Sequence, residues 1–143
     1  MNARGKSTVV DITGGELISE GGIAGIFVSI CGSGSSDVNS ISFNMTGGSL
    51  VSDAPGILTD YALTVNIGGT ANISSSSTGI SVKGTTVLNV NGGTIASSGA
   101  SAISANHNNK VNISGGNIST TGYSAAAIQI GEDSTATISG GNV

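Results

Sequence analysis

The stretch "VNISGGNIST", Val111 to Thr120, decides how this chain is read. Val111 and Ile113 alternate with Asn112 and Ser114, the two-residue period of a strand with one buried face. Two glycines follow, and the alternation restarts at Ile118. Gly pairs also stand at Gly14-Gly15, Gly47-Gly48, Gly68-Gly69, Gly92-Gly93 and Gly140-Gly141, so the first glycines are 33, 21, 24, 23 and 25 residues apart. Each pair is preceded by apolar-polar-apolar: Val10-Asp11-Ile12, Phe43-Asn44-Met45, Val65-Asn66-Ile67, Leu88-Asn89-Val90, Val111-Asn112-Ile113 and Ala136-Thr137-Ile138. An aliphatic residue returns two positions after most pairs, at Leu17, Leu50, Ile95, Ile118 and Val143. The third unit departs from this, with Ala71 there and Ile73 further on.

A unit of about 23 residues cannot bury its own apolar face, but stacking one unit on the next can. A third apolar spot in each full unit, such as Ile57, Ile103 or Ile128, completes three short strands and three turns per coil. No stretch sustains the 3.6-residue period of a helix. The expected fold is therefore all-β: a parallel β-helix (β-solenoid) of about five to six coils of 21 to 25 residues with one longer first coil, right-handed by the usual crossover rule. The Gly pair is expected to turn a corner, since glycine accepts positive φ. Residues 1–7 read as a tail and 8–143 as one domain. Asp11, Asn44, Asn66, Asn89, Asn112 and Thr137 form one column, able to build a hydrogen-bonded ladder that faces either solvent or the inside of a turn.

Composition narrows the function. The 24 glycines are far above average usage, while charged residues make up 8% and aromatics 3%. Mean hydropathy is +0.26 with a net charge of -4, which does not fit charge-driven disorder. The four basic residues, Arg4, Lys6, Lys83 and Lys110, form no patch for nucleic acid. The single cysteine, Cys31, makes no internal disulfide. The apolar run from Gly22 to Cys31 is about half the ~20 residues a membrane helix needs. "MNARGKSTVV" leads into alternation and shows no apolar leader segment.

The repeated V-x-I-x-G-G-x-I units resemble the right-handed parallel β-helix (pectate-lyase-like) superfamily. They are most similar to its non-catalytic secreted bacterial members, the GG-repeat surface and adhesin proteins and carbohydrate-binding β-helix modules. The resemblance runs from about Thr8 to Val143. It implies the fold strongly and the activity weakly, because one fold hosts many functions. Catalytic members need clustered acids, and lyases add a basic residue. Here the eight acids do not recur at matching positions of adjacent coils, and Arg4 precedes the first coil. No catalytic residue is carried over, and no metal or cofactor is expected.

Individual candidates read mostly as surface. Glu132-Asp133 offers two carboxylates, far short of the six to eight oxygens calcium takes. Asp53 and Asp60 flank the strand at Ile57 as an acid/base pair or as plain solubilising acids, the latter being the stronger reading. His107 sits in the turn-rich "ANHNNK" without a second histidine. The segment Cys31 to Ser40 is an insertion of roughly nine residues, expected to bulge as a loop. Asn44, Asn72, Asn112 and Asn117 head glycosylation triplets that the repeat grammar itself generates. Tyr61 and Tyr123, the only tyrosines, are possible ligand contacts.

The first strand, "TVVDITGG", has the same phase as the last, "TATISGGN". Val9, Val10 and Ile12 at one end and Ala136, Ile138 and Val143 at the other are thus expected assembly edges, joined head to tail. The leading expectation is a non-enzymatic structural solenoid that stacks into an extracellular filament or surface layer with itself as partner. The alternative is a carbohydrate-binding or adhesin module with a polysaccharide partner, for which the Asn, Ser and Thr face and the two tyrosines speak. Neither nucleic acid nor membrane insertion is expected. An ice-binding face lacks its regular Thr-x-Thr columns.

Overall fold

The computed structural model of the chain describes residues 7–29, 40–60 and 62–143. The described residues contain no helix and twelve strands: β1 (Ser7–Ser19), β2 (Ile26–Val28), β3 (Ser40–Ser52), β4 (Ile57–Thr59), β5 (Thr64–Ile67), β6 (Asn72–Ser75), β7 (Ile80–Lys83), β8 (Val87–Ser97), β9 (Ile103–Asn106), β10 (Lys110–Thr120), β11 (Ile128–Ile130) and β12 (Thr135–Ile138). One sheet runs β1-β3-β5-β8-β10-β12, with β6 joining β3 to β8; the other runs β2-β4-β7-β9-β11. The strand pairings are parallel. The chain is a parallel β-solenoid of about four turns. That is slightly fewer than the spacing suggests.

Alternation and stacking together make the core. In the pairing register Phe43 lies over Val10, then Val65, Leu88, Val111 and Ala136 follow in the same column. Beside it runs Ile12, Met45, Ile67, Val90, Ile113 and Ile138. The second sheet adds Ile26, Ile57, Ile80, Ile103 and Ile128. Interior members of these columns are 0–2% exposed. Each β-branched or aliphatic side chain meets its equivalent one strand spacing away, about 4.8 Å. A fully buried aliphatic side chain contributes about 1.5–3 kcal/mol. Very few aromatics are required, because the core is one side chain thick on each wall.

The Gly pair works differently from a simple corner. In β1, β3, β8 and β10 it lies inside one continuous strand, at a register shift, so two expected strands are one bent strand. Two separate requirements select two glycines. A Cβ on Gly115 would sit 2.6 Å from the Asn91 carbonyl oxygen in the coil before, so the first glycine is needed for close approach. Gly116 has φ of 91°, so the second is needed for conformation. Its counterparts Gly15, Gly48, Gly69, Gly93 and Gly141 also have positive φ.

The irregular third unit now has a reason. Ile73 lies between Leu50 and Ile95 in register, four residues after Gly69 where the others need two. The two extra residues, Thr70 and Ala71, divide the strand into β5 and β6. Ala71 is itself buried.

Polar side chains settle the corners. Asn109 is 2% exposed; its Nδ2 donates to the carbonyls of Val82 (3.1 Å) and Asn106 (2.7 Å), and its Oδ1 accepts from the Thr86 amide (2.9 Å). Ser75 Oγ donates to the Ala54 carbonyl at 2.7 Å. Among the described residues no buried side-chain nitrogen or oxygen lacks a partner. This matches the cost of about 1–3 kcal/mol for leaving one unmade.

These approaches predict an asymmetry among chemically identical glycines. Gly115→Ala should lower the unfolding free energy by about 1–3 kcal/mol, the usual effect of overpacking. Gly14, whose Cβ would meet nothing within 4 Å, should accept alanine with a change below about 0.5 kcal/mol. Urea unfolding of the two variants measures the difference.

Candidate functional site

Three features stand out from the repeat: a carboxamide ladder on one flank, two shallow concavities, and the outermost strand ranks.

The ladder follows from the register. Asp11, Asn44, Asn66, Asn89 and Asn112 occupy one column, pointing away from the core because Val10, Ile12 and their equivalents point in. Between the two directions left open by sequence, the outward one is what forms. Asn44 Nδ2 donates to Asp11 Oδ1 at 2.6 Å, Asn66 to Asn44 Oδ1 at 2.7 Å, Asn89 to Asn66 at 2.8 Å, and Asn112 to Asn89 at 2.8 Å. Every donor points toward the N-terminal rank. The amide dipoles therefore align and polarise one another. The carboxylate of Asp11 stands at their positive end, where a negative charge is favoured, and its bond is the shortest of the set. Thr137 pairs with Asn112 in register but carries no amide to continue the series. A separate single rung joins Asn142 Nδ2 to Asn117 Oδ1 at 2.8 Å.

The larger concavity, about 460 Å³, lies where the corner 121–127 stands over the corner 98–102. Tyr123, Ser124, Gln129 and Ser101 line it with small glycine and alanine surfaces. The smaller, about 240 Å³, is a serine-rich groove on the outer side of β3, β6, β8 and β10, reached by Val51, Ser74, Ser76 and Ser119. Neither holds a charged side chain.

The expected assembly edges do not form a uniform set. At the first rank Ile12 is already buried and Val10 half-buried. Val9 is 61% exposed and belongs to the outward column of Ser42 and Thr64, not to the core. At the last rank Ile138 is 55% and Val143 59% exposed, and Ala136 is exposed as well. These three continue core columns, since Ile113 pairs with Ile138 and a bridge joins Asn117 to Asn142 next to Val143.

The remaining candidates are scattered. Asp53 precedes β4 and accepts a hydrogen bond from the Gly21 amide at 2.7 Å, while Asp60 follows β4 at its other end. His107 is an exposed turn residue with φ of 62°, and its Nδ1 lies 4.0 Å from Glu132 Oε2. At that exposure the pair adds little. Asp133, also in a positive-φ turn, stands beside Glu132. Among the described residues no three of His, Cys, Asp and Glu come together as a metal site would need. Tyr61, Cys31 and the loop around 31–39 lie outside the described residues. Compared with known proteins, the chain matches no family model, no curated protein and no solved structure.

The ladder makes a prediction with a sign. Asn89→Leu removes two rungs and leaves Asn66 Oδ1 and Asn112 Nδ2 half-buried and unpaired, for a loss of about 1–3 kcal/mol in urea unfolding. Asn89→Asp at neutral pH sets two acceptors against each other at the Asn66 rung. Protonation restores a donor, so the folded state holds the proton more tightly than the unfolded one. Stability of this variant, measured against Asn89→Leu, should therefore rise as pH falls from 7 toward about 4.

Proposed function

We propose that the chain is a structural, non-enzymatic β-solenoid that stacks head to tail into an extracellular filament or surface layer. The observation that carries this reading is the unbroken register of the core columns: Val10 to Ala136 and Ile12 to Ile138 repeat the same pairing at every rank, with interior members 0–2% exposed. A coil of this grammar is built to pair with another coil of the same grammar. The β1 strand of a second copy has that grammar: Val10-Asp11-Ile12 is in phase with Ala136-Thr137-Ile138. Contact of this kind is heterologous, and it grows into a fibre where no rotation closes it.

The non-enzymatic role belongs to the same proposal; among the described residues Asp53, Asp60 and Glu132 sit at separate corners. The extracellular address rests on the polar, weakly charged outer columns and on the likeness of the repeat phrase to secreted β-helix surface proteins. Kinship with the pectate-lyase-like superfamily belongs to the same proposal.

Negative-stain microscopy of the purified chain tests it. Unbranched fibres of constant width, with a reflection near ~4.8 Å along the fibre, are the expected result. Ile138→Lys places an unpaired charge in the junction and should abolish the fibres while leaving the circular dichroism spectrum unchanged. Monomers alone at the highest soluble concentration would overturn the reading.

A further inference from the structure

The corner between the post-glycine strands and the second sheet is not constant in length. It spans 20–25, 53–56, 76–79, 98–102 and 121–127 in successive coils, hence six, four, four, five and seven residues. The flanking strands stay in register, with Ser97 against Thr120 and Ile103 against Ile128. The extra residues of the last corner must therefore bulge outward. Tyr123 rides on that bulge and is 98% exposed, the highest value among the exposed large hydrophobic residues. The next residue, Ser124, has φ of 58°. The same left-handed backbone recurs at the turns of Thr85, His107, Asn108 and Asp133, so the exposed ring and not the backbone sets this corner apart. Neither the core nor the ladder uses any of this. The bulge displays a whole phenol ring to water and buries none of it in the core.

The geometry points to a saccharide-binding site at Tyr123, taking a neutral pyranose unit of a polysaccharide in the adjoining concavity. Three properties of the site select that chemistry. The concavity of about 460 Å³ is the size of one or two sugar rings, and no charged side chain lines it. An anionic ligand finds no cation there, and a purely apolar one finds only alanine methyl groups and one ring. A pyranose has what the site has: a C–H face that lies on an aromatic ring, and a rim of hydroxyls that exchange hydrogen bonds with amides. Gln129 supplies the amide. Its Oε1 accepts a long hydrogen bond from Ser101 Oγ at 3.4 Å, and its Nε2 carries two further donors. Gln129 also stands outward on β11, a rigid strand whose neighbours Ile128 and Ile130 continue core columns. The ring is thus on a loop and the hydrogen-bonding group on the scaffold beside it.

This inference goes beyond the stacking reading and does not rest on it. Affinity gel electrophoresis of the full chain tests it, in native gels containing mixed-linkage β-glucan, xylan, galactomannan or dextran, with heparin as the anionic control. Retardation in at least one neutral gel and none with heparin is expected. Tyr123→Ala should weaken it about tenfold, the scale of one lost aromatic contact, while Tyr123→Phe keeps it. Gln129→Ala should weaken it as well. Running each variant also on the Ile138→Lys background separates sugar binding from stacking, because that background holds the chain as monomer. Unretarded migration of the native chain in every neutral gel overturns the proposal. So does retardation that persists undiminished in Tyr123→Ala.

Discussion

Everything in this structure depends on how closely one coil can approach the next where the chain bends. Parallel ranks sit one strand spacing apart, and at the bend the backbone of one coil lies directly against that of its neighbour. There is no room for a β-carbon: at Gly115 it would press on the Asn91 carbonyl, and at Gly140 it would come 2.5 Å from that of Ser114. The bend also demands a left-handed residue immediately afterward, met by Gly116 and Gly141. One requirement is intermolecular in character, although it acts within one chain, and the other is local. Together they turn a single-glycine kink into a glycine pair. They also keep the strand continuous through the bend, so the core columns on either side remain in phase.

Because the phase is kept, outward side chains stack as faithfully as inward ones. The carboxamide ladder is the consequence. Its four bonds share one direction, which gives the flank a polarity that the backbone ladder of a parallel sheet supplies only weakly. The acid of the series stands at Asp11, where the column needs an acceptor and no donor. Placed at Asn66 or Asn89, the same carboxylate would confront a carbonyl. The identity of the first residue in the column thus follows from the polarity of the rest. The ladder also explains why Asn44 and Asn112 differ from Asn72: the first two have their amide nitrogens engaged as donors, while Asn72 is exposed on β6.

The solenoid was legible in the sequence because period two and period 23 are both written in residue types. Aliphatics at fixed offsets from a glycine pair give the columns, and Asn at one offset gives the ladder. What was not legible depends on differences that residue type does not encode. The first glycine reads as a turn residue, yet it answers to a neighbour 24 positions earlier that no local pattern reveals. The direction of the Asn column depends on whether its strand borders solvent or the inside of a turn, which only the register shows. Val9 reads as core by its apolarity, but the register puts it outward with Ser42 and Thr64. Tyr123 carried only its side chain as a signal. Its meaning came from corner length, which can be counted only once the strand limits are known.

A repeat that builds so regular a wall leaves function to its departures. Two of those departures among the described residues do not compete. The rank of Ile138 and Val143, whose side chains are exposed, faces along the axis. The enlarged corner at Tyr123 faces sideways, away from that axis and off the core. A stack of copies would add five to six ranks per copy, about 24–29 Å of rise at a strand spacing each. It would carry one exposed ring on every copy along a single flank. Weak single-site contacts spaced at that interval on a rigid rod engage an extended polymer many times over. Linking sites in this way strengthens binding through effective concentration without any new contact. Axial growth and lateral recognition would then be one design, in which the scaffold sets the spacing and the corner supplies the chemistry.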